Sequence, residues 1–413
     1  MLPHPLRNLA IEALGEFVSQ LFRNADSSGG QVPDHVVSHL EQMIATQVPP
    51  NMANQVTEQL LMYILLLFDD LALSGYMRQL REKGSIPYRI RCESVKLTAT
   101  ATIHPLVTIF NYNLDYGGHL SSPCIQEFLK SYLQHLLLKI KNLRVLKLRA
   151  IQFDSLLFNN CDINLQNLQE FAYNFCTDNI VQTVSSVSNR LRVLDIRESP
   201  GVTNVSVGHI LKFRELKVLR ITNTNITTQG VTGILKGIPQ ESCYFSTETN
   251  LQLDLIEFNA PFSEFEIGLV SESFKNLVSL ELSLVEECSL TPLSSLTRLK
   301  SLALRRHGCP EICVFPFVHV VDLLRNIGHQ LEELQIINLN GTNLKAVAVN
   351  CPALHTLVLK FPDARLLGFW GYAPPEEHFD MFPLPEFPSV RCLDVKLSDR
   401  SIVETLFAED ATR

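Results

Sequence analysis

Charge is scarce in this 413-residue chain: Asp, Glu, Lys and Arg supply only 19% of it, against roughly a quarter in ordinary globular proteins. With 46% apolar residues, such a composition excludes a disordered polyelectrolyte and leaves room for a large core. Positive charge is the scarcer sign. The 35 basic against 43 acidic side chains leave a net charge of −8, which removes the attraction that nucleic acids and anionic membranes rely on. Long apolar runs are missing too: the longest, Leu60 to Phe68, ends at Asp69 and Asp70, far short of the ~20 residues that cross a bilayer. The opening MLPHPLRNLAIEALGEFV has no basic flank before an uninterrupted apolar stretch and carries Glu12 and Glu16, so it does not read as a secretory signal. We expect a soluble protein of the cytoplasm or nucleus. The 10 cysteines include no CxxC pair and read as reduced thiols. The sequons at Asn204, Asn225 and Asn340 read as chance matches.

Catalytic signatures are absent as well. The chain has no Gly-rich phosphate loop, nucleophile elbow or HExxH, so neither an enzyme nor a cofactor is expected. His307, Cys309 and Cys313, with His319 nearby, do not match a zinc-site spacing. They read as loop residues, and no metal is expected.

What is abundant is the pattern LxxLxL. Copies start at Leu143, Leu168, Leu191, Leu216, Leu253, Leu277, Leu299, Leu331, Leu354 and Val390, with a degenerate one at Cys92 to Leu97. Most intervals match the 20 to 29 residues of leucine-rich repeats, and a few carry insertions. In each copy the second and third apolar residues of the pattern alternate with residues expected to be exposed, as a short strand with one buried face requires. A single strand of this kind is too small to be stable. Stacking the units buries the leucines in one continuous core, with helices or turns returning the chain. The sequence therefore resembles the leucine-rich repeat class. The fold class this implies is α/β, a horseshoe-shaped solenoid over residues 91–413, with a Pro- and aromatic-rich insertion at 361–388 that reads as an end cap.

Residues 1–90 lack the repeat and show helical periodicity over about Leu6 to Phe22, Asp34 to Ala45, Met52 to Leu73 and Tyr76 to Glu82, which predicts an all-helical module. Pro123 to Leu138 reads as one more helix. Within the module, Pro5 precedes Leu6, Ala10 and Leu14, spaced four apart on one helical stripe beside Leu9. This stripe resembles the elongin-binding box, which docks helix-in-groove on elongin C of the elongin B/C adaptor. Val32-Pro33-Asp-His-Val36 follows and resembles the cullin-2 box, with Pro33 opening the next helix. Val48-Pro49-Pro50-Asn-Met52 is a near copy. Read singly, each motif equally describes an amphipathic core helix.

Together, ahead of leucine-rich repeats, they resemble the Zyg/Zer family of cullin-2 ubiquitin-ligase substrate receptors, and more loosely the PRAME-type receptors. No armadillo-like array, which reads degrons in the Zyg/Zer family, is legible before Arg413, so that specificity is not implied here. Val32 to Leu40 also resembles the opening of an F-box, which would exchange elongin for a Skp-type adaptor. The stripe at Pro5 to Leu14 favours elongin.

The resemblance implies a non-enzymatic receptor with elongin B/C, cullin-2 and a protein substrate as partners. Repeat geometry places the substrate surface on the concave sheet face, at Lys147, Arg149, Asp195, Arg197, Arg220, Thr222, Glu257, Glu281, Arg305, Glu333, Gln335 and Lys360. Cations dominate the early copies and carboxylates the middle ones, which suits a partner acidic at one end. The competing expectation is a plain scaffold in which residues 1–90 only close the end of the repeat core.

Overall fold

The computed structural model describes residues 12–21, 33–65, 99–113, 123–149, 165–237, 253, 255, 257–284, 288–306, 317–337, 339, 344–361 and 389–397. The expected boundary at 90/91, the copy at Cys92 to Leu97 and nearly all of the insertion at 361–388 lie outside them. The chain forms two compact units, Met1–Leu191 and Arg192–Arg413.

In the first unit, β1 (Ile109–Asn113), β2 (Val145–Arg149) and β3 (Glu170–Tyr173) pair in parallel, which lines up Phe110, Leu146 and Phe171. The second unit carries β4 (Val193–Asp195), β5 (Val218–Arg220), β6 (Glu257–Phe262), β7 (Ser279–Leu284), β8 (Ser301–Arg306), β9 (Glu333–Ile337), β10 (Thr356–Phe361) and β11 (Cys392–Leu397). Each pairs in parallel with the next, so Leu194, Leu219, Phe258, Leu280, Leu302, Leu334 and Leu357 form one buried row that ends at Leu393. Burying such a side chain is worth ~1.5–3 kcal/mol. Two or three per copy do not offset the entropy of ordering some twenty residues, so the copies are stable only when stacked. Short helices return the chain, among them Asp178–Val187, Thr228–Lys236, Glu264–Ser273 and Phe317–Ile327. Glu264–Ser273 opens on a capping box between Ser263 and Glu266, and Thr228–Lys236 stops at Gly237, whose φ of 66° suits a residue without Cβ. These are stacked leucine-rich repeats within each unit.

The structure corrects the pattern in two places. The strand β1 is itself a repeat copy, Val107-Thr-Ile-Phe110-Asn-Tyr112, with Val107, Phe110 and Tyr112 buried at the three pattern positions, and it contains no leucine. In β6, Phe258 stands opposite Leu219 and Leu280, so the copy runs from Leu255 through Phe258 to Ala260 instead of starting at Leu253. A two-residue slip preserves the alternation of faces, and Ala260 is too small to announce a core position.

At the amino-terminal side, residues 12–21 and 53–65 are helical, as is Asp34–Gln47. Asp34–Gln47 buries Leu40 and Ile44, and Pro33, immediately before it, accepts the Val36 amide at 2.9 Å. Pro50–Met52 forms a 3-10 turn leading into 53–65, which gives the Val48 to Met52 segment a structural role. The helix 53–65 lies along the edge of β1 away from β2. Asn54 Oδ1 accepts the amides of Thr108 (2.8 Å) and Ile109 (3.1 Å), and Glu58 Oε1 accepts that of Asn111 (2.9 Å). An unpaired strand edge invites pairing with other chains, and here side chains occupy its donors. Partial burial raises the Glu58 carboxyl above its ordinary value, and the Asn111 hydrogen bond offsets part of that rise. The same helix receives the buried His104 amide on the Thr57 hydroxyl at 3.2 Å, and Lys139 binds Glu41 at 2.6 Å.

Asn54→Ala should leave the Thr108 and Ile109 amides without a protein acceptor. Hydrogen–deuterium exchange should then accelerate locally by about tenfold, as loss of roughly 1.4 kcal/mol of protection requires, with β7 and β8 unaffected. Unchanged exchange at 108 and 109 would show that Asn54 does not guard the edge.

Candidate functional site

Side chains on the face opposite the leucines are set by the strand register. Within the second unit, Asp195, Arg220, Asn259, Glu281, Ala303 and Gln335 are mutual neighbours along one row. Glu257, Ser279, Ser301 and Glu333 form a parallel row two residues earlier. Adjacent strands are ~4.8 Å apart, so residues paired along a row are close neighbours. A groove of about 370 Å³ opens on this face, lined by Arg197, Arg220, Phe258, Ser279, Glu281, Ser301, Ala303, Glu333 and Gln335. Five of the residues expected on the substrate surface therefore meet in one hollow.

Its first end is built on a single carboxylate. Asp195 Oδ1 accepts from Arg197 Nε at 2.9 Å, and Oδ2 accepts from Arg197 Nη2 at 2.7 Å and Arg220 Nη1 at 3.3 Å. The fork-shaped guanidinium suits this bidentate contact. Asp195 is only 7% exposed, and burial alone would raise its carboxyl. The Arg197 hydrogen bonds and the charges of Arg197 and Arg220 outweigh burial and hold it below the ordinary carboxylate range. Arg197 in turn is held above its ordinary value, chiefly by the Asp195 hydrogen bonds. The chain turns back just after Arg197, where Glu198 adopts φ 58°, as Asn223 does after Thr222. This left-handed conformation is disfavoured for Glu and is supported by the Glu198 amide bonding to Thr222 O at 3.0 Å.

The middle of the face is a polar ladder. The Thr222 hydroxyl donates to Asn259 Oδ1, and Asn259 Nδ2 donates to Glu281 Oε2. Arg305 Nη2 lies 3.2 Å from Glu281 Oε1. That ion pair does not have hydrogen-bond geometry, so Glu281 Oε1 and Arg305 Nε are buried without a hydrogen-bond partner. Toward the far end, Glu333 accepts from the Ser301 hydroxyl at 3.0 Å and from Gln335 Nε2 at 2.7 Å.

Other expected residues lie elsewhere or act differently. Asp195 and Thr222, 7% and 4% exposed, hold their neighbours in place and do not present themselves to a partner. In the first unit, Lys147 is tied to Glu170 at 2.6 Å and Arg149 is exposed at the end of β2. Lys360 is half-buried on β10. The side chain of Glu257 lies outside the described residues, and the slip in β6 makes Asn259 the counterpart of Glu281. Asn259 was missed for that reason, although a polar residue between Phe258 and Ala260 was visible.

In the amino-terminal helices, Pro5, Leu6, Leu9, Ala10 and Val32 lie outside the described residues. Leu14 and Val36 are half-buried and Pro33 is exposed. On the helix of Leu14, Val18 is fully buried and Gly15 packs on the Tyr63 ring. The segment from His307 to Cys313 also lies outside the described residues. Among the described residues, no group of three His, Cys, Asp or Glu is placed to hold a metal, and no helix is long and apolar enough to cross a membrane.

No protein-family model matches this chain, and no curated protein does. Among solved structures the chain is similar to an internalin from Listeria monocytogenes, at 15% identity over 76% of this chain and 80% of that one, with a TM-score of 0.35. The leucine-rich repeat assignment rests on this chain's own strand register.

Asp195→Asn should destabilise the second unit by about 1.5–3 kcal/mol, the usual worth of charge-assisted hydrogen bonds, measured by urea unfolding at pH 7. Because the folded carboxyl titrates below its unfolded value near 3.9, its contribution is present above that pH and is lost as pH falls through the folded value. The gap between wild type and variant should therefore close in acid. A gap that stays constant to pH 2 would contradict the assigned ion cluster.

Proposed function

We propose that this chain is the substrate-recognition subunit of a cullin-RING ubiquitin ligase, non-enzymatic itself, with its amino-terminal helices on elongin B/C and cullin-2 and a protein substrate on the open face of the repeats. The carrying observation is the divided helix at 12–21: Val18 is buried, whereas Leu14 keeps exposed surface. Docking into an adaptor groove needs such an apolar residue facing outward. Pro33 is exposed and Val36 half-buried at the start of Asp34–Gln47, which supports a docking role for the segment that resembles the cullin-2 box. The mechanism is proximity. A captured protein is held beside the transfer machinery, so a lysine meets it at high effective concentration.

One observation favours a second reading, a leucine-rich scaffold without a ligase. The helix 53–65 closes the β1 edge through Asn54 and Glu58, which is the work of a terminal cap. The receptor reading assigns that work to 53–65 and adaptor docking to the helices before it. In the F-box version, a Skp-type adaptor takes the place of elongin.

Affinity capture of the full chain and of Leu6→Ala separates these readings. The receptor predicts elongin C with the wild type and at least about tenfold less with the variant, since removing a buried leucine anchor costs ~2 kcal/mol or more. Elongin C in neither sample contradicts the elongin receptor, and a Skp-type adaptor in both supports the F-box version.

A further inference from the structure

The turns that lead into the strands of the second unit share one geometry. The Leu216 amide bonds to Phe213 O at 3.1 Å, that of Leu277 to Phe274 O at 3.2 Å, and that of Leu299 to Leu296 O at 3.2 Å. Each is a four-residue turn whose two ends are apolar and buried. The central residues, Arg214-Glu215, Lys275-Asn276 and Thr297-Arg298, are therefore pushed outward and exposed. The turns before β5, β7 and β8 thus each carry a cation at the tip, whereas the same turns before β9 and β10 carry His329-Gln330 and Pro352-Ala353. Carboxylates do not balance this stretch of rim. Among the described residues of these turns, the acidic side chains are Glu215 and Glu332, which are taken by Arg192 at 3.4 Å and Lys300 at 2.6 Å. Arg298 donates to the neutral Asn276 side chain at 3.0 Å, and among the described residues no carboxylate lies within ion-pair distance of Arg214 or Lys275. In a chain of net charge −8, this patch runs against the overall sign.

We propose that this rim binds an acidic, extended segment of a partner protein, whose carboxylates lie on Arg214, Lys275 and Arg298. From β5 to β8 is three inter-strand steps of ~4.8 Å, or roughly 14 Å, and an extended peptide advances ~3.3 Å per residue, so about five residues span the patch. A protein segment suits it better than a nucleic acid. The large apolar side chain exposed on these turns is Val278, which gives bases no aromatic ring to stack on, and the net negative charge of the chain repels a long polyanion. Exposed cations of this kind give steering and salt-sensitive contact more than tight binding. None of the three lines the groove of the open face, so this is a second surface, and its use does not depend on elongin. Lys275 also follows the end of Glu264–Ser273, where a cation offsets the helix dipole; a role limited to that would show in stability and not in binding.

The test is fluorescence anisotropy of labelled decapeptides titrated with the full chain at low salt. A peptide of alternating Glu and Ser should bind, its counterpart with Gln for Glu should not, and added salt should weaken the binding, since exposed charges are screened. Arg214→Gln, Lys275→Gln and Arg298→Gln together should weaken it by about tenfold. Arg325→Gln, on the return helix Phe317–Ile327, should bind as the wild type does. Melting curves guard against a folding defect in the triple variant, and the single variants Arg214→Gln and Lys275→Gln should each bind more weakly while melting as the wild type does. Equal binding of the Glu and Gln peptides, or equal binding by the wild type and the well-folded variants, would overturn the proposal. A single-stranded oligonucleotide of the same length binding more tightly than the Glu peptide would overturn the choice of a protein segment. Neither result bears on elongin capture, which Leu6→Ala reads separately.

Discussion

Parallel pairing at one register governs this molecule. Once Leu194, Leu219, Phe258, Leu280, Leu302, Leu334 and Leu357 are lined up in the core, the two-residue period fixes every intervening side chain on the other face. Asp195 then must meet Arg220, and Asn259 must meet Glu281. The polar ladder is thus a by-product of core alignment that has become a surface. A slip of one residue in any strand would bury charge and expose leucine, so the energy that stabilises the core also enforces the order of the groove.

The same constraint creates a problem at the ends, because a stack of parallel strands has open edges. In the first unit the answer is local and polar: Asn54 and Glu58 occupy the amides of β1. This division of labour gives the receptor reading its physical basis. One helix is committed to the strand edge, and the helices at 12–21 and Asp34–Gln47 keep partly exposed apolar residues.

Much of this was legible because leucine recurs at fixed offsets, and most expected strands lie in the register the pattern assigns. The failures are physically instructive. The strand β1 was overlooked because Val107, Phe110 and Tyr112 do the work of leucine. The slip in β6 arose because alternation is blind to a shift of two and Ala260 is small. A helix at Asp34–Gln47 was announced by periodicity and by Pro33, and one at Pro123–Lys139 was expected over Pro123 to Leu138. The Asn54 contacts were not legible, since they join residues 54 positions apart. For the site, the row of alternating residues pointed to Arg197, Arg220, Glu281, Glu333 and Gln335. Pattern alone could not say that Asp195 and Thr222 would be interior rungs.

Reactivity of engineered thiols in the full chain, with and without a captured protein partner, tests most directly whether the open face is where partners bind. Ser279→Cys and Ser301→Cys place thiols in the groove, and Val349→Cys places one on the helix Leu344–Asn350, where Val349 is 72% exposed. The account predicts that the partner slows labelling at 279 and 301 and leaves 349 unchanged. Protection at 349 with continued labelling at 279 and 301 would contradict it.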